Sequence, residues 1–225
     1  MHKVLFAVLL LLLGGTLFAG TIYTDRSLFE GALGATLTDS YSAADGYPSG
    51  FDIYSDSTMS AFFGETKYRT TGFPNWNMVN SDVHYCAGCN GSFLLDFTET
   101  SLGTASGVYG VGMAISTNSD GLPYHAFITF GDNTTLDHAL PPGESFFGII
   151  DPQLIRSIHL GLSGGAATTS GSFTLESLTI GSLGNGNGNG TVVIPEPALT
   201  AIVGLALVGL ALRRRRQQRV QNIVG

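Results

Sequence analysis

Across 225 residues the chain holds 31 glycines, is only 12% charged and carries a formal charge of −7. Between Gly20 and Ile194 four bases, Arg26, Lys67, Arg69 and Arg156, stand against 16 of the 17 acids, so this middle part has a net charge of −12. Phosphate backbones are bound by clustered Lys and Arg, so nucleic acid is excluded as a partner, and an anionic membrane surface would repel the segment.

The N-terminus begins Met1-His2-Lys3, continues with ten apolar residues from Val4 to Leu13, and relaxes through Gly14-Gly15-Thr16 to the small pair Ala19-Gly20. A basic flank, an apolar run about half the ~20 residues a membrane span needs, and small residues at its end describe a secretory signal peptide over residues 1–19. Export follows, and with it a compartment that permits disulfides.

The domain expected over 20–182 is large enough for one sizeable core. Thr21-Ile22-Tyr23 reads as a short strand. "TDRSLFEGALG" then places Leu28, Phe29, Ala32 and Leu33 at helical spacing, with Thr24 or Asp25 as cap and Gly34 as stop, which predicts one short helix. Beyond it the period becomes two. In "GVYGVGMAIS", Tyr109, Val111, Met113 and Ile115 share one face and Gly110, Gly112 and Ala114 the other; in "YHAFITFG", Tyr124, Ala126, Ile128 and Phe130 alternate with His125, Phe127 and Thr129. "SFLLDF", "ESFFGII" and "LIRSIHLGL" are further strands. In "SFTLESLTIG" Phe173 and Leu175 keep one phase and Leu178 and Ile180 the opposite one, so a β-bulge is predicted near Glu176-Ser177. Asp45-Gly46, Asn90-Gly91, Asp120-Gly121, Asp132-Asn133 and Pro141-Pro142-Gly143 mark turns. The fold class predicted is all-β: a two-sheet antiparallel jelly-roll-like sandwich with one short N-terminal helix, flanked by the N-terminal signal helix and a C-terminal transmembrane helix.

Four groups within the domain bear on chemistry. Cys86 and Cys89 in "CAGC" predict a disulfide across a tight turn, helped by Gly88; "DVHYCAGC" also sets Asp82, His84, Cys86 and Cys89, all zinc-ligand types, within eight residues. "TGFPNWNMVNSDVHYCAGCNGS" is the longest irregular stretch and holds the only tryptophan, Trp76, with Tyr85 beside the cysteines. Trp76 either anchors this loop to the core or, with Asn75 and Asn77, stacks on a sugar ring; Trp76 and Tyr85 are therefore the candidate ligand residues. "GLSGG" matches the G-x-S-x-G pattern of hydrolases at Ser163, but no α/β alternation surrounds it and a polar turn accounts for it better. His84, His125, His138 and His159 are scattered, and turn aspartates (Asp45, Asp52, Asp56, Asp120, Asp132) lack EF-hand spacing. No catalytic residue, metal or cofactor is predicted.

"GSLGNGNGNGT" has almost nothing to bury; its residues 183–191 read as a flexible linker, a tether of about ten residues reaching about 18 Å. Residues 192–216 then run Pro195-Glu196-Pro197, fifteen almost wholly apolar residues from Ala198 to Leu212, and the cluster Arg213, Arg214, Arg215 and Arg216. As a helix the apolar run is ~22 Å long, short of a ~30 Å hydrocarbon core. A soluble core helix is excluded because the run is apolar all round and cut from the domain by a polar linker. The arginines stay cytoplasmic, which agrees with the export implied by the N-terminus.

This order of Pro-Glu-Pro, short apolar helix and arginine cluster resembles the PEP-CTERM sorting signal of Gram-negative surface proteins. "QQRVQNIVG" (217–225), a cytoplasmic tail after the arginines, is longer than that pattern. The resemblance implies an exosortase-type membrane protease or transpeptidase as partner, acting near Pro195, Glu196 and Pro197. It also implies transient residence in the inner membrane, and then a cell-surface or extracellular location with exopolysaccharide or biofilm matrix. "YTDRSLFEGALG", "FFGIIDPQLIRSIHLGL" and "FTLESLTIG" resemble β-rich domains that accompany such tails, with Glu176 where those show an aspartate. A non-enzymatic surface protein is the leading expectation; a secreted carbohydrate-binding module and a secreted hydrolase are the alternatives.

Overall fold

The computed structural model describes residues 20–81, 83–89, 91–118, 123–162 and 172–184. The signal segment, most of the linker, the sorting tail, Asp82 and Ser163 lie outside them. The described chain runs β1 (Thr21–Tyr23), α1 (Arg26–Gly31), β2 (Leu33–Asp39), a 3-10 turn (Ala43–Asp45), β3 (Phe51–Tyr54), α2 (Asp56–Phe63), β4 (Lys67–Thr70), β5 (Asn77–Asn80), β6 (His84–Ala87) and β7 (Phe93–Asp96). It continues with β8 (Val108–Asn118), β9 (Tyr124–Phe130), β10 (Thr135–Ala139), β11 (Gly143–Leu162) and β12 (Ser172–Leu183). All strand pairs are antiparallel.

The expected all-β, antiparallel architecture is present, but as one hydrogen-bonded sheet of 12 strands rather than two separate ones. β11 is the reason. "ESFFGII" and "LIRSIHLGL" are one strand of 20 residues that changes partners midway. Gly143–Ile150 lies beside β8, with β1 on its other edge; Ile155–Leu162 lies beside β9, with β7 on its other edge. The change falls at Pro152, which has no N–H for a ladder, and at Leu154, whose φ of 66° is left-handed. β11 thus joins two arms, β3–β5–β6–β12–β8 with β1 and β2 on one side, and β10–β9 and β4–β7 on the two edges of its second half. Their apolar faces share one core: Phe173 of β12 meets Phe93 of β7 at 5.8 Å and Tyr124 of β9 at 5.1 Å, and His138 of β10 meets Phe147 of β11 at 5.1 Å.

Burial follows the predicted alternation in β9 and over Val111 to Ile115 of β8, whereas Tyr109, expected on the core face, packs with Phe29, Leu33 and Ile150 and Val108 is buried in the main core. In β9, Tyr124, Ala126, Ile128 and Phe130 are buried and the residues between them are not. In β12 the register against β8 shifts between Leu175 and Ser177, so the bulge sits where two opposite phases had to be reconciled, with Glu176 outside.

Helix α1 packs on the outer face. Asp25 caps it, accepting from the Leu28 N–H at 2.9 Å. With six residues it turns a single large side chain, Phe29, onto the sheet; Leu28, expected on the apolar face, is 68% exposed. The helix ends at Gly31, so Gly34 lies in β2 rather than at the helix stop. The glycines opposite the core face of β8 now have a purpose. A Cβ at Gly112 would meet Phe29 at 2.5 Å, one at Gly148 would meet Phe29 at 2.8 Å, and those at Gly110 and Gly181 would meet Leu33 at 2.6 and 2.4 Å. They form a floor for Phe29 and Leu33, a small second core with Ile150.

Candidate functional site

The stretch expected to be irregular contains a hairpin, β5–β6, registered Asn77↔Ala87, Met78↔Cys86, Val79↔Tyr85 and Asn80↔His84. β3 extends it with Phe51↔Asn80 and Ile53↔Met78. Alternation sorts the side chains. Asn77, Val79 and Tyr85 point to the core, while Met78, Asn80 and His84 are half-buried on the other face and Phe51 and Ile53 are exposed there. Trp76 keeps the phase of Met78, and its carbonyl accepts from the Gly88 N–H at 2.9 Å, which carries the ladder one step further.

Trp76 is not a core anchor: it is 48% exposed. Its ring leans edge-on against Phe73 (6.3 Å, 67°), and Phe73 lies close over Gly88 and Gly91. Asn75, at φ 58°, turns the chain into β5, and its Oδ1 accepts from the Asp56 N–H at 3.1 Å. Four of the six exposed large apolar residues among those described, Phe51, Ile53, Trp76 and Val83, belong to this edge of the sheet. Asn80 and His84 supply polar groups among them, whereas Asp52, opposite Val79, lies on the other face.

Tyr85 is a correction. It is fully buried, donates to Asn77 Oδ1 at 2.9 Å, and stacks on Tyr41 at 5.5 Å. Its place opposite Val79 puts it on the inward phase, so it belongs to the core and not to a ligand site, and burial pushes its hydroxyl well above the usual range. Cys86 and Cys89 are bridged, with Cα atoms 4.6 Å apart across a turn in which Gly88 and Cys89 both take positive φ (63° and 60°). The sorting residues Pro195, Glu196, Pro197 and Arg213 to Arg216 lie outside the described residues.

The outer face of the other arm is more polar. Registered across five strands stand Arg69, Leu94, His159, Phe127 and Asp137. Where α2 borders β4, a cavity of about 380 Å³ is lined by Asp56, Ser57, Lys67, Arg69, Leu94 and Asp96, among others. His125 Nδ1 sits 2.5 Å from Asp137 Oδ1, and His159 Nε2 3.0 Å from Thr71 Oγ1; burial holds the His159 imidazole below its ordinary pKa. One histidine thus has a carboxylate without a hydroxyl and the other a hydroxyl without a carboxylate. Neither forms a Ser/His/Asp relay among the described residues.

Sequence reasoning missed a buried polar cluster. Asp39 Oδ2 accepts from Tyr47 and Tyr68 hydroxyls at 2.8 and 2.9 Å, and its Oδ1 from the Tyr41 N–H at 3.0 Å. Desolvation pushes its carboxyl up to about 6 despite these bonds. The run "DSYSAADGY" contains Asp39, Tyr41 and Tyr47, but Tyr68 comes from β4, and only the fold brings it in.

No protein-family model and no curated protein matches the chain. Among solved structures it is similar to a mutant family 29 carbohydrate-binding module, with TM-score 0.34 and 10% identity over 67% of this chain and 94% of that one. It is also similar to the family 11 carbohydrate-binding module of a cellulosomal cellulase from Clostridium thermocellum, with TM-score 0.24 and 11% identity over 73% and 95% of the two chains. At such TM-scores neither likeness bears on fold or function; the residues themselves must do so.

Proposed function

We propose that this chain is an exported, non-enzymatic surface or extracellular-matrix protein of a Gram-negative bacterium, sorted by an exosortase-type enzyme. Its β domain, a jelly-roll-like sandwich, associates with extracellular polysaccharide. The observation that carries the reading is the half-exposed Trp76, propped by Phe73 on the same sheet edge as exposed Phe51 and Ile53. A large ring kept in water forgoes the stabilisation that burial gives, and a cluster of such residues marks a contact surface. Aromatic faces stack on the apolar faces of sugar rings, and the Asn80 amide and the His84 imidazole on the same face have the donors and acceptors that sugar hydroxyls need.

The sorting half of the proposal rests on the order of elements in 192–216 and on the tether before them. An apolar run too short for a comfortable span holds the chain briefly, and Pro195 and Pro197 keep the adjoining peptide bonds out of a helix and accessible. Two measurements test the proposal. Intact mass of the protein from its native host is expected to lack both the first 19 residues and the arginine cluster; material retaining Arg213 to Arg216 in the inner membrane contradicts the sorting. Co-sedimentation with purified host exopolysaccharide is expected for the wild type and reduced at least tenfold in Trp76→Ala; equal sedimentation of the two contradicts the site.

A further inference from the structure

We propose that His84, Cys86 and Cys89 form a zinc site that is closed off by the disulfide and opens when the disulfide is reduced. One donor atom from each of the three side chains lies within 4.8 Å of the other two. Two features of the backbone create this. His84 and Cys86 are two apart in β6 and so share its outer face, opposite Asn80 and Met78. The left-handed pair Gly88 and Cys89 then turns the chain back, which returns the second sulfur to the first.

The turn is held by bonds that involve neither sulfur nor imidazole. The Gly91 N–H donates to the Ala87 carbonyl at 2.9 Å, the Gly88 N–H to the Trp76 carbonyl at 2.9 Å, and the Phe173 N–H to the Cys89 carbonyl at 2.8 Å. The last ties the turn to β12, so the three ligands keep their relative places when the sulfurs separate. Zn–S bonds of about 2.3 Å and Zn–N bonds of about 2.0 Å set ligand atoms on one ion at separations the three donors reach by small side-chain rotations.

The chemistry balances in two steps. Two equivalents of a thiol reduce the bridge, giving Cys86 and Cys89 thiols and the thiol's own disulfide. Zn²⁺ then replaces the two thiol protons, which pass to water, and takes the neutral imidazole of His84 as third ligand. Thiolate and imidazole donors favour zinc over magnesium or calcium, and the net charge of −12 between Gly20 and Ile194 concentrates cations near the domain. Three protein ligands leave a fourth position for water. The same turn is thus clasped either by a disulfide or by a metal ion, never by both.

The test uses the full chain, reduced with a non-chelating phosphine, freed of reductant under argon and titrated with Zn²⁺ against a chromophoric chelator. One equivalent is expected in the reduced protein and none in the oxidised one. His84→Ala is expected to weaken binding at least tenfold and Cys89→Ser to abolish it. Co²⁺ in place of zinc is expected to show thiolate charge-transfer absorption that shifts in His84→Ala. Far-ultraviolet circular dichroism is expected to stay β-like throughout. Absence of zinc uptake after reduction, uptake unchanged by His84→Ala, or loss of the β signal in reduced, zinc-loaded protein each overturns the proposal.

Discussion

Two apolar places on the outer surface of the sheet are treated in opposite ways. Under α1, the strands carry Gly110, Gly112, Gly148 and Gly181, and the apolar groups come from above, Phe29 and Leu33 filling the space the missing side chains leave. At the β3–β5–β6 edge the strands themselves project Phe51, Ile53, Met78 and Trp76, and among the described residues no element covers them. The first arrangement completes a core. The second presents a surface, and a protein able to floor one face with glycines for a helix has left the other furnished with rings.

Substitutions should separate the two places sharply. Phe29→Ala removes a fully buried ring and is expected to lower stability by about 3–5 kcal/mol in chemical denaturation. A loss below about 1 kcal/mol, an ordinary surface effect, would show that the α1 face is not a core. Gly112→Ala overpacks the same place, since its Cβ would meet Phe29 at 2.5 Å and Phe146 at 2.8 Å; about 1–3 kcal/mol is expected. Trp76→Ala should cost about 0.5 kcal/mol or less, while reducing polysaccharide association. Should Trp76→Ala destabilise as much as Phe29→Ala, the contrast between the two places disappears.

Asp39 supplies a pH-dependent prediction of intermediate size. Its carboxyl is raised from 3.8 to about 6 in the folded protein, so the folded state favours the protonated form. Its contribution is fully present below pH 4 and is lost as pH rises through 6, amounting to about 3 kcal/mol. The stability difference between wild type and Asp39→Asn should therefore shift in favour of the variant between pH 4 and pH 7 and level off above. A difference constant over that range would contradict the raised carboxyl. Asp45 and Glu65, whose hydrogen bonds hold their carboxyls below the usual range, act in the opposite direction and are common to both proteins.

Local patterns were legible where one strand reads out its own environment. Alternation in β9, the phase reversal at Glu176 and a cap at Thr24 or Asp25 need no partner to be read, and the structure gives the cap to Asp25. What depended on distant neighbours was not legible. Helix α2 has Ser55 as N-cap and Gly64 as its left-handed stop, but buries only Met59, so its apolar spacing gives little signal. The four-residue strands β5 and β6 hide behind polar residues such as Asn77, whose amide donates to the Tyr54 carbonyl and to Asp56 Oδ1 inside the fold. Tyr85 reads as a loop residue in the sequence because its inward phase is set by register with Val79, a property of the pair and not of the sequence around it. Trp76 is legible in the sequence as a candidate, while Phe51 and Ile53 join it only through the β3–β5 pairing.

The chain has a single tryptophan, which makes its fluorescence a report on the proposed contact alone. Titration of the protein with host exopolysaccharide is predicted to shift Trp76 emission to shorter wavelength and to reduce its quenching by acrylamide, saturably and without loss of the folded signal. An emission spectrum and quenching constant that stay unchanged while the polysaccharide binds, or a polysaccharide that does not bind at all, would contradict the account.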